Sequence, residues 1–255
     1  MMRLPRRLGH GEEATLEEHL DELRGRLFVM LGAVGVGTIV AYIFHNKVLD
    51  WLNAPLPTNF RPVTLGVAEP FTTTITVCVY AGFVFALPIV LWQLWNFFAP
   101  AMEPRIERKI LFLVACSVAL GAAGLAFGYE LLLPRAIHFL TNYDNEHFRT
   151  LIQAKPYYNF VVTILVGIVV IFQTPLVILG LVAIGFLSSR TLRKQRRLGY
   201  LITAAVALAL PGPDLVTTFF ELIPMWLLFE GSIWLAVLYE RRRKKVISRS
   251  ATLGA

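Results

Sequence analysis

The chain has 255 residues, 56% of them apolar and only 16% charged, with a formal net charge of +7. A soluble domain carries about 25% charged residues, so a surface this poor in charge does not suit water. Disorder, a collagen-like rod and a disulfide scaffold are excluded together, and a polytopic membrane protein remains.

The N-terminal residues 1–26 are polar, with acidic and basic side chains mixed and no cleavable signal sequence. From Thr15 to Arg26 they read as an amphipathic helix. Thr15 with Glu18 fits a capping box. Leu16, Leu20, Leu23 and Leu27 form one apolar stripe at helical spacing. Such a helix lies on the cytoplasmic interface and runs into the first span. Glu18 and Glu22 are four apart and share a face. Two carboxylates at an anionic membrane surface suit a cationic partner. The ordinary alternative is an intrahelical pair of Glu22 with Arg26, also four apart.

A crossing helix needs about 20 mostly apolar residues. Leu27–Asn46 is uncharged for 20 residues, Pro70–Met102 for 33, Ile110–Tyr129 for 20 and Pro156–Ser189 for 34. Two further, shorter helices are expected at Leu198–Pro213 and Leu215–Tyr239, joined by the Pro211–Asp214 turn. A re-entrant hairpin is the alternative for this pair. The expected outer loops lie near 45–70, which is irregular and carries Pro55, Pro57, Pro62 and Pro70, and near 133–155. Pro88, Pro175 and Pro224 are expected to kink their spans. Small residues from Gly121 to Gly128 permit close helix approach.

Six spans place residues 1–26, 96–109, 188–197 and the tail from 240 on one side, with 19 Lys and Arg between them, against five on the other. Basic loops stay in the cytoplasm, so both termini are expected there. The expected organisation is an N-terminal segment 1–26, a membrane domain 27–239 and a basic tail 240–255. The run Arg241–Lys245 reads as a stop-transfer flank and not as a nucleic-acid contact.

Ionisable groups at membrane depth are costly, so each is a functional candidate. Glu230 lies about midway along the last span; its ordinary reading is a protonated carboxyl hydrogen-bonded to a neighbouring helix. Glu221 sits nearer the outer end. Gln173, near the middle of a long span, needs a partner or water. Cys78 and Cys116 fall inside spans and read as packing residues. The sequence has no P-loop, no H-E-x-x-H, no G-x-S-x-G and no cluster of metal ligands, so no catalytic residue, metal or cofactor is assigned. On the residues alone, a secondary transporter of a small solute is the alternative function, although no inverted repeat is visible.

Several segments, in order, carry a resemblance. They are His19–Arg26, Glu69-Pro70-Phe71, the run Trp92–Met102 followed by Glu107-Arg108, Phe172-Gln173-Thr174-Pro175, Pro213-Asp214, Ile223-Pro224-Met225 and Phe229-Glu230. The chain resembles the TatC family, the multispanning core of the twin-arginine protein translocase, from about Leu16 to Tyr239. The resemblance implies six helices forming a concave, cupped wall with short fifth and sixth helices, in a bacterial-type inner membrane. It implies a receptor, not an enzyme, for twin-arginine signal peptides of folded precursors, with Glu22 and Glu107 as the acidic positions. The peptide's apolar core would follow a groove whose deep polar position is Gln173, where many relatives have glutamate. It also implies a multimeric complex with the single-span partners TatA and TatB, for which Thr217 and Thr218 are the candidate contacts.

Overall fold

The computed structural model describes residues 16–57, 60–99, 110–142, 151–210 and 215–253, the backbone alone at 16–19, 215–217 and 243–253. The chain divides into two compact units, Met1–Val169 and Val170–Ala255. The described residues are almost wholly helical, and pairing between extended segments is limited to the bridge of Val63 with Gln153.

The first unit opens with α1, Leu16–Ile43, an unbroken helix of 28 residues. The N-terminal amphipathic segment and the first span are therefore one rod, as their shared leucine stripe predicts. Leu20, Leu23 and Leu27 are exposed, as are Leu31, Val36, Ile39 and Ile43 higher up. An apolar surface of this extent is stable in contact with lipid and not with water.

α2, His45–Asn53, follows after a single residue, where the sequence reading placed an irregular loop. The charges of Lys47 and Asp50 ended the apolar run, but a charge ends a hydrophobic span and not a helix. Three tyrosines hold α2 in place. Tyr157 Oη donates to the Leu52 carbonyl at 2.7 Å, and Tyr129 Oη to that of Trp51 at 2.8 Å. Asn53 Nδ2 donates to Tyr158 Oη at 2.8 Å, and the Trp51 and Tyr129 rings stack at 4.0 Å. Leu52 and Leu56 enter a core with Val77, Leu133, Ile137, Val161 and Leu165.

α3, Glu69–Phe98, runs antiparallel to α1. Two contacts fix the register. Arg26 meets Gln93, and eleven residues further along α1, Gly37 meets Gly82. A Cβ at Gly37 would lie 2.5 Å from the Gly82 carbonyl oxygen, so only glycine permits this approach. Within the expected stretch Gly121–Gly128, Gly128 also makes a close contact, a Cβ there lying 3.1 Å from Leu165 Cδ2, but the approach at Gly37 and Gly82 is tighter. Pro88 stands inside α3 without ending it.

α4, Ile110–Phe127, passes through a π-helical turn, Gly128–Leu132, into α5, Leu133–Asn142. The expected loop from 133 is helix as far as Asn142. Leu133, Ala136, Ile137 and Thr141 are its buried face, a helical spacing present in the sequence. Pro134 has no N–H to give the carbonyl one turn back, and the wider turn accommodates it. Arg135 Nη1 donates to the Leu131 carbonyl at 2.7 Å. α6, Ala154–Ile171, begins immediately after the bridge at Gln153.

In the second unit, α7, Thr174–Ala183, starts just before Pro175, and the proline breaks the long span at Phe172-Gln173. Gly185, at φ +83°, turns the chain, and the Ser188 side chain caps the short α8, Ser189–Lys194. α9, Arg196–Ala209, ends as foreseen: Leu210 precedes Pro211 and is extended, at ψ 152°. α10, Leu215–Leu253, contains Pro224 and runs on through the basic segment 241–245, where the sequence suggested a tail. Gly199 on α9 sits against the Phe229 ring of α10. Glu240 accepts from Ser189 N at 2.7 Å and Ser189 Oγ at 2.6 Å, which fixes the start of α8 to α10.

Among the described residues five helical segments are long and apolar enough to cross a membrane: Leu20–Ile43, Glu69–Phe98, Ile110–Asn142, Ala154–Ala183 and Thr218–Arg242. α9, the expected fifth of six, has 14 residues and rises only about 21 Å.

Candidate functional site

The site is built where the first turns of α1 meet the last turns of α3. Glu22 faces inward and is buried, its side chain 8% exposed. Its Oε1 accepts from Arg26 Nε at 3.0 Å and Arg26 Nη2 at 2.5 Å. The third guanidinium nitrogen in use, Arg26 Nη1, donates to Gln93 Oε1 at 3.2 Å. The pair foreseen as the ordinary alternative is therefore made, and it reaches across to α3. Both guanidinium bonds fall on one carboxylate oxygen. Glu22 Oε2 is buried and has no hydrogen-bond partner.

Burial changes the weight of this pair. An exposed i, i+4 pair contributes a few tenths of a kcal/mol. Here the Arg26 side chain is 16% exposed, the charges are poorly hydrated, and each needs the other. A carboxylate in such a setting binds a planar, forked cation with two parallel bonds better than it binds an ammonium.

Glu107 lies outside the described residues, on the segment joining the end of α3 to the start of α4. Those two helices are linked directly at this end. Trp95 Nε1 donates to Ser117 Oγ at 2.9 Å, both side chains buried. The Trp92–Met102 segment thus contributes two structural groups that sequence reasoning missed, Gln93 and Trp95.

Glu69 was quoted in a motif without a role. Its Oε2 accepts from the backbone of Leu65 at 2.8 Å and Gly66 at 3.2 Å. Its Oε1 accepts from Gln153 Nε2 at 3.2 Å and Lys155 N at 3.1 Å. Beside it Val63 N donates to the Ile152 carbonyl, and Ala154 N to that of Val63, each at 2.8 Å. One carboxylate and one bridge therefore clasp two connections that are distant in sequence. This is an architectural site at the opposite end of α3 from Glu22.

The remaining candidates lie in the second unit. Gln173 is buried at the break before α7. Glu230 accepts from Tyr200 Oη, and its Oε2 is 3.3 Å from Arg196 Nη2. The expected hydrogen bond to a neighbouring helix is present, with a guanidinium added. Arg196 begins α9, so the Glu230 carboxylate has its counter-charge at a helix end. Glu221 is buried. Thr218 is half-buried on α10, and the side chain of Thr217 lies outside the described residues. The structure brings Glu22, Arg26 and Gln93 together in one unit and Glu230, Tyr200 and Arg196 together in the other.

Comparison with known proteins identifies the family. The family model described as Sec-independent protein translocase protein (TatC) matches residues 18–224. The translocase protein TatCd of Bacillus subtilis is 33% identical over 94% of this chain and 99% of its own length. The TatC protein of Aquifex aeolicus is 31% identical over 91% of this chain and 98% of its own. A crystal structure of the twin-arginine translocase receptor TatC superposes with a TM-score of 0.77 at 29% identity, covering 86% of this chain and 98% of that one. The chain is a multi-pass membrane protein of protein transport, and it belongs to the TatC family of twin-arginine translocase components.

Proposed function

We propose that this protein is the signal-peptide receptor of a twin-arginine translocase and not an enzyme. Glu22 and Glu107 receive the paired arginines of a folded precursor's signal peptide. The observation that carries this reading is the state of Glu22: a buried carboxylate that already holds a guanidinium by two bonds. A site that stabilises one guanidinium is chemically suited to another.

In this reading the chain crosses a bacterial-type inner membrane six times, with both termini in the cytoplasm. The peptide's apolar core runs on towards Gln173, whose amide supplies hydrogen bonds without a charge. The single-span subunits TatA and TatB gather near the last two helices, with Thr217 and Thr218 as contacts, in a multimeric complex. The basic excess on one side of the spans supports the orientation, since such loops are retained in the cytoplasm.

The test is direct binding of a twin-arginine signal peptide to the protein in nanodiscs, with a twin-lysine peptide as control. Glu22→Gln and Glu107→Gln each keep size and remove charge. Each is expected to weaken arginine-peptide binding by about tenfold or more, the worth of a charge-assisted hydrogen bond. Unchanged affinity in both variants, with the protein still folded, would reject the acidic site.

A further inference from the structure

The geometry of Glu22 conflicts with a simple open receptor. The carboxylate proposed to read an arginine is covered, and it is already occupied from within the same helix. We infer that Arg26 is a resident guanidinium that competes with the signal peptide for Glu22, and that Gln93 is the acceptor that takes Arg26 when the peptide displaces it. This rests on the signal-peptide reading of Glu22 and assigns to Arg26 and Gln93 the setting of the site's affinity threshold.

Three observations support exchange over a purely structural pair. First, Arg26 already divides its nitrogens between the two acceptors: Nε and Nη2 on Glu22, Nη1 on Gln93. Moving the guanidinium towards Gln93 needs only side-chain rotation, because one contact with that amide exists beforehand. Secondly, Arg26 uses only Oε1. Glu22 Oε2 is buried and has no partner, so the carboxylate is under-used in the resting state. Such an atom is costly to leave, and an incoming fork that engages both oxygens satisfies it. Thirdly, the pair lies on α1 while Gln93 lies on α3, and these helices are locked a few turns away at Gly37 and Gly82. The acceptors stay fixed while the arginine moves between them.

The consequence is quantitative. If only a fraction of molecules has Glu22 vacant, every ligand of that carboxylate loses apparent affinity by that same fraction. The resident arginine does not alter the ratio between an arginine and a lysine ligand. It raises the threshold for both. An arginine fork still passes the raised threshold, and a single ammonium falls below useful binding.

The experiment measures both peptides on the full chain in nanodiscs, in wild type, Arg26→Lys, Arg26→Gln, Gln93→Leu and Glu22→Gln. Arg26→Lys keeps the positive charge beside Glu22 and removes the fork. It is expected to tighten both peptides by a similar factor, roughly five- to tenfold, by freeing more of the site. Arg26→Gln is expected to tighten them further. Gln93→Leu leaves Arg26 no second acceptor and is expected to weaken both.

Weaker or unchanged binding in both Arg26 variants, while Glu22→Gln abolishes it, would overturn the competitor and leave the receptor reading standing. So would tightening of the arginine peptide alone, because a shared competitor cannot act on one ligand only. No effect of Glu22→Gln would remove Glu22 from the receptor site, and the competitor with it. If Arg26→Gln fails to fold, Arg26→Lys decides alone.

Discussion

Individual side chains in the first unit divide into those that hold helices together and those free to exchange partners. Trp95 and Ser117 belong to the first kind. The indole N–H is buried, and Ser117 Oγ is its acceptor at 2.9 Å. Ser117→Ala leaves that donor without its acceptor, which costs about 1–3 kcal/mol. Trp95→Phe removes the donor itself, so the serine then has little left to contribute through this bond. A double-mutant cycle by thermal unfolding in detergent is therefore expected to be strongly non-additive, Ser117→Ala costing much less in the Trp95→Phe background. Equal costs in both backgrounds would show that the hydrogen bond contributes nothing. The sequence displayed Trp95 within a tryptophan-rich segment, but its partner is 22 residues away on another helix, and no local pattern names it. Arg26 was legible for the opposite reason: a spacing of four residues on one helix brings its fork to Glu22 without tertiary information.

Between elements, the glycine contacts at Gly82 and at Gly199 differ in what blocks a side chain. A Cβ at Gly82 would meet the backbone of Thr38, which is fixed within α1. A Cβ at Gly199 would meet the ring of Phe229, which is the end of a side chain. Backbone cannot move without shifting the helix, whereas a ring can rotate. Gly82→Ala is thus expected to lower thermal stability more than Gly199→Ala, by overpacking of about 1–3 kcal/mol. Phe229→Leu is expected to restore much of the loss in Gly199→Ala and none of that in Gly82→Ala. Rescue of both, or of neither, would contradict the contacts. At this scale the hydrophobic spans were legible, because about 20 uncharged residues is a length requirement that sequence displays directly. α2 and α5 were not, although Leu133, Ala136 and Ile137 carry a helical spacing. Lys47 and Asp50 end one apolar run, Glu130 and Arg135 the other, and the run was the criterion. Both helices are amphipathic, and hydrogen bonds such as those of Tyr157 and Arg135 fix their backbone.

For the chain as a whole, the parity of its membrane crossings decides where the C-terminus lies. Among the described residues five segments meet the length and hydropathy of a crossing helix, and an odd number would put the two termini on opposite sides. α9 is the sixth candidate. With 14 residues it rises about 21 Å, short of a hydrocarbon core of about 30 Å. A short helix crosses if the bilayer thins locally and if its charged ends reach the interface. Arg196 and Arg197 at its start and Asp214, in sequence beyond its end, suit that arrangement. Charge adds the stronger argument. With five crossings and α9 left on one face, the Arg190–Arg197 cluster and the Arg241–Lys245 cluster fall on opposite sides, and one of them violates the retention of basic segments. Six crossings keep both with the N-terminal segment. The check is labelling with a membrane-impermeant thiol reagent in a background with Cys78 and Cys116 replaced by alanine. Single cysteines at Arg7, Arg193 and Ser250 are expected to be protected in intact cells and to react after permeabilisation. One at Arg61 is expected to react in intact cells. Reaction of the Ser250 position from outside would establish an odd count, and α9 would then be a helix that enters the membrane without crossing it.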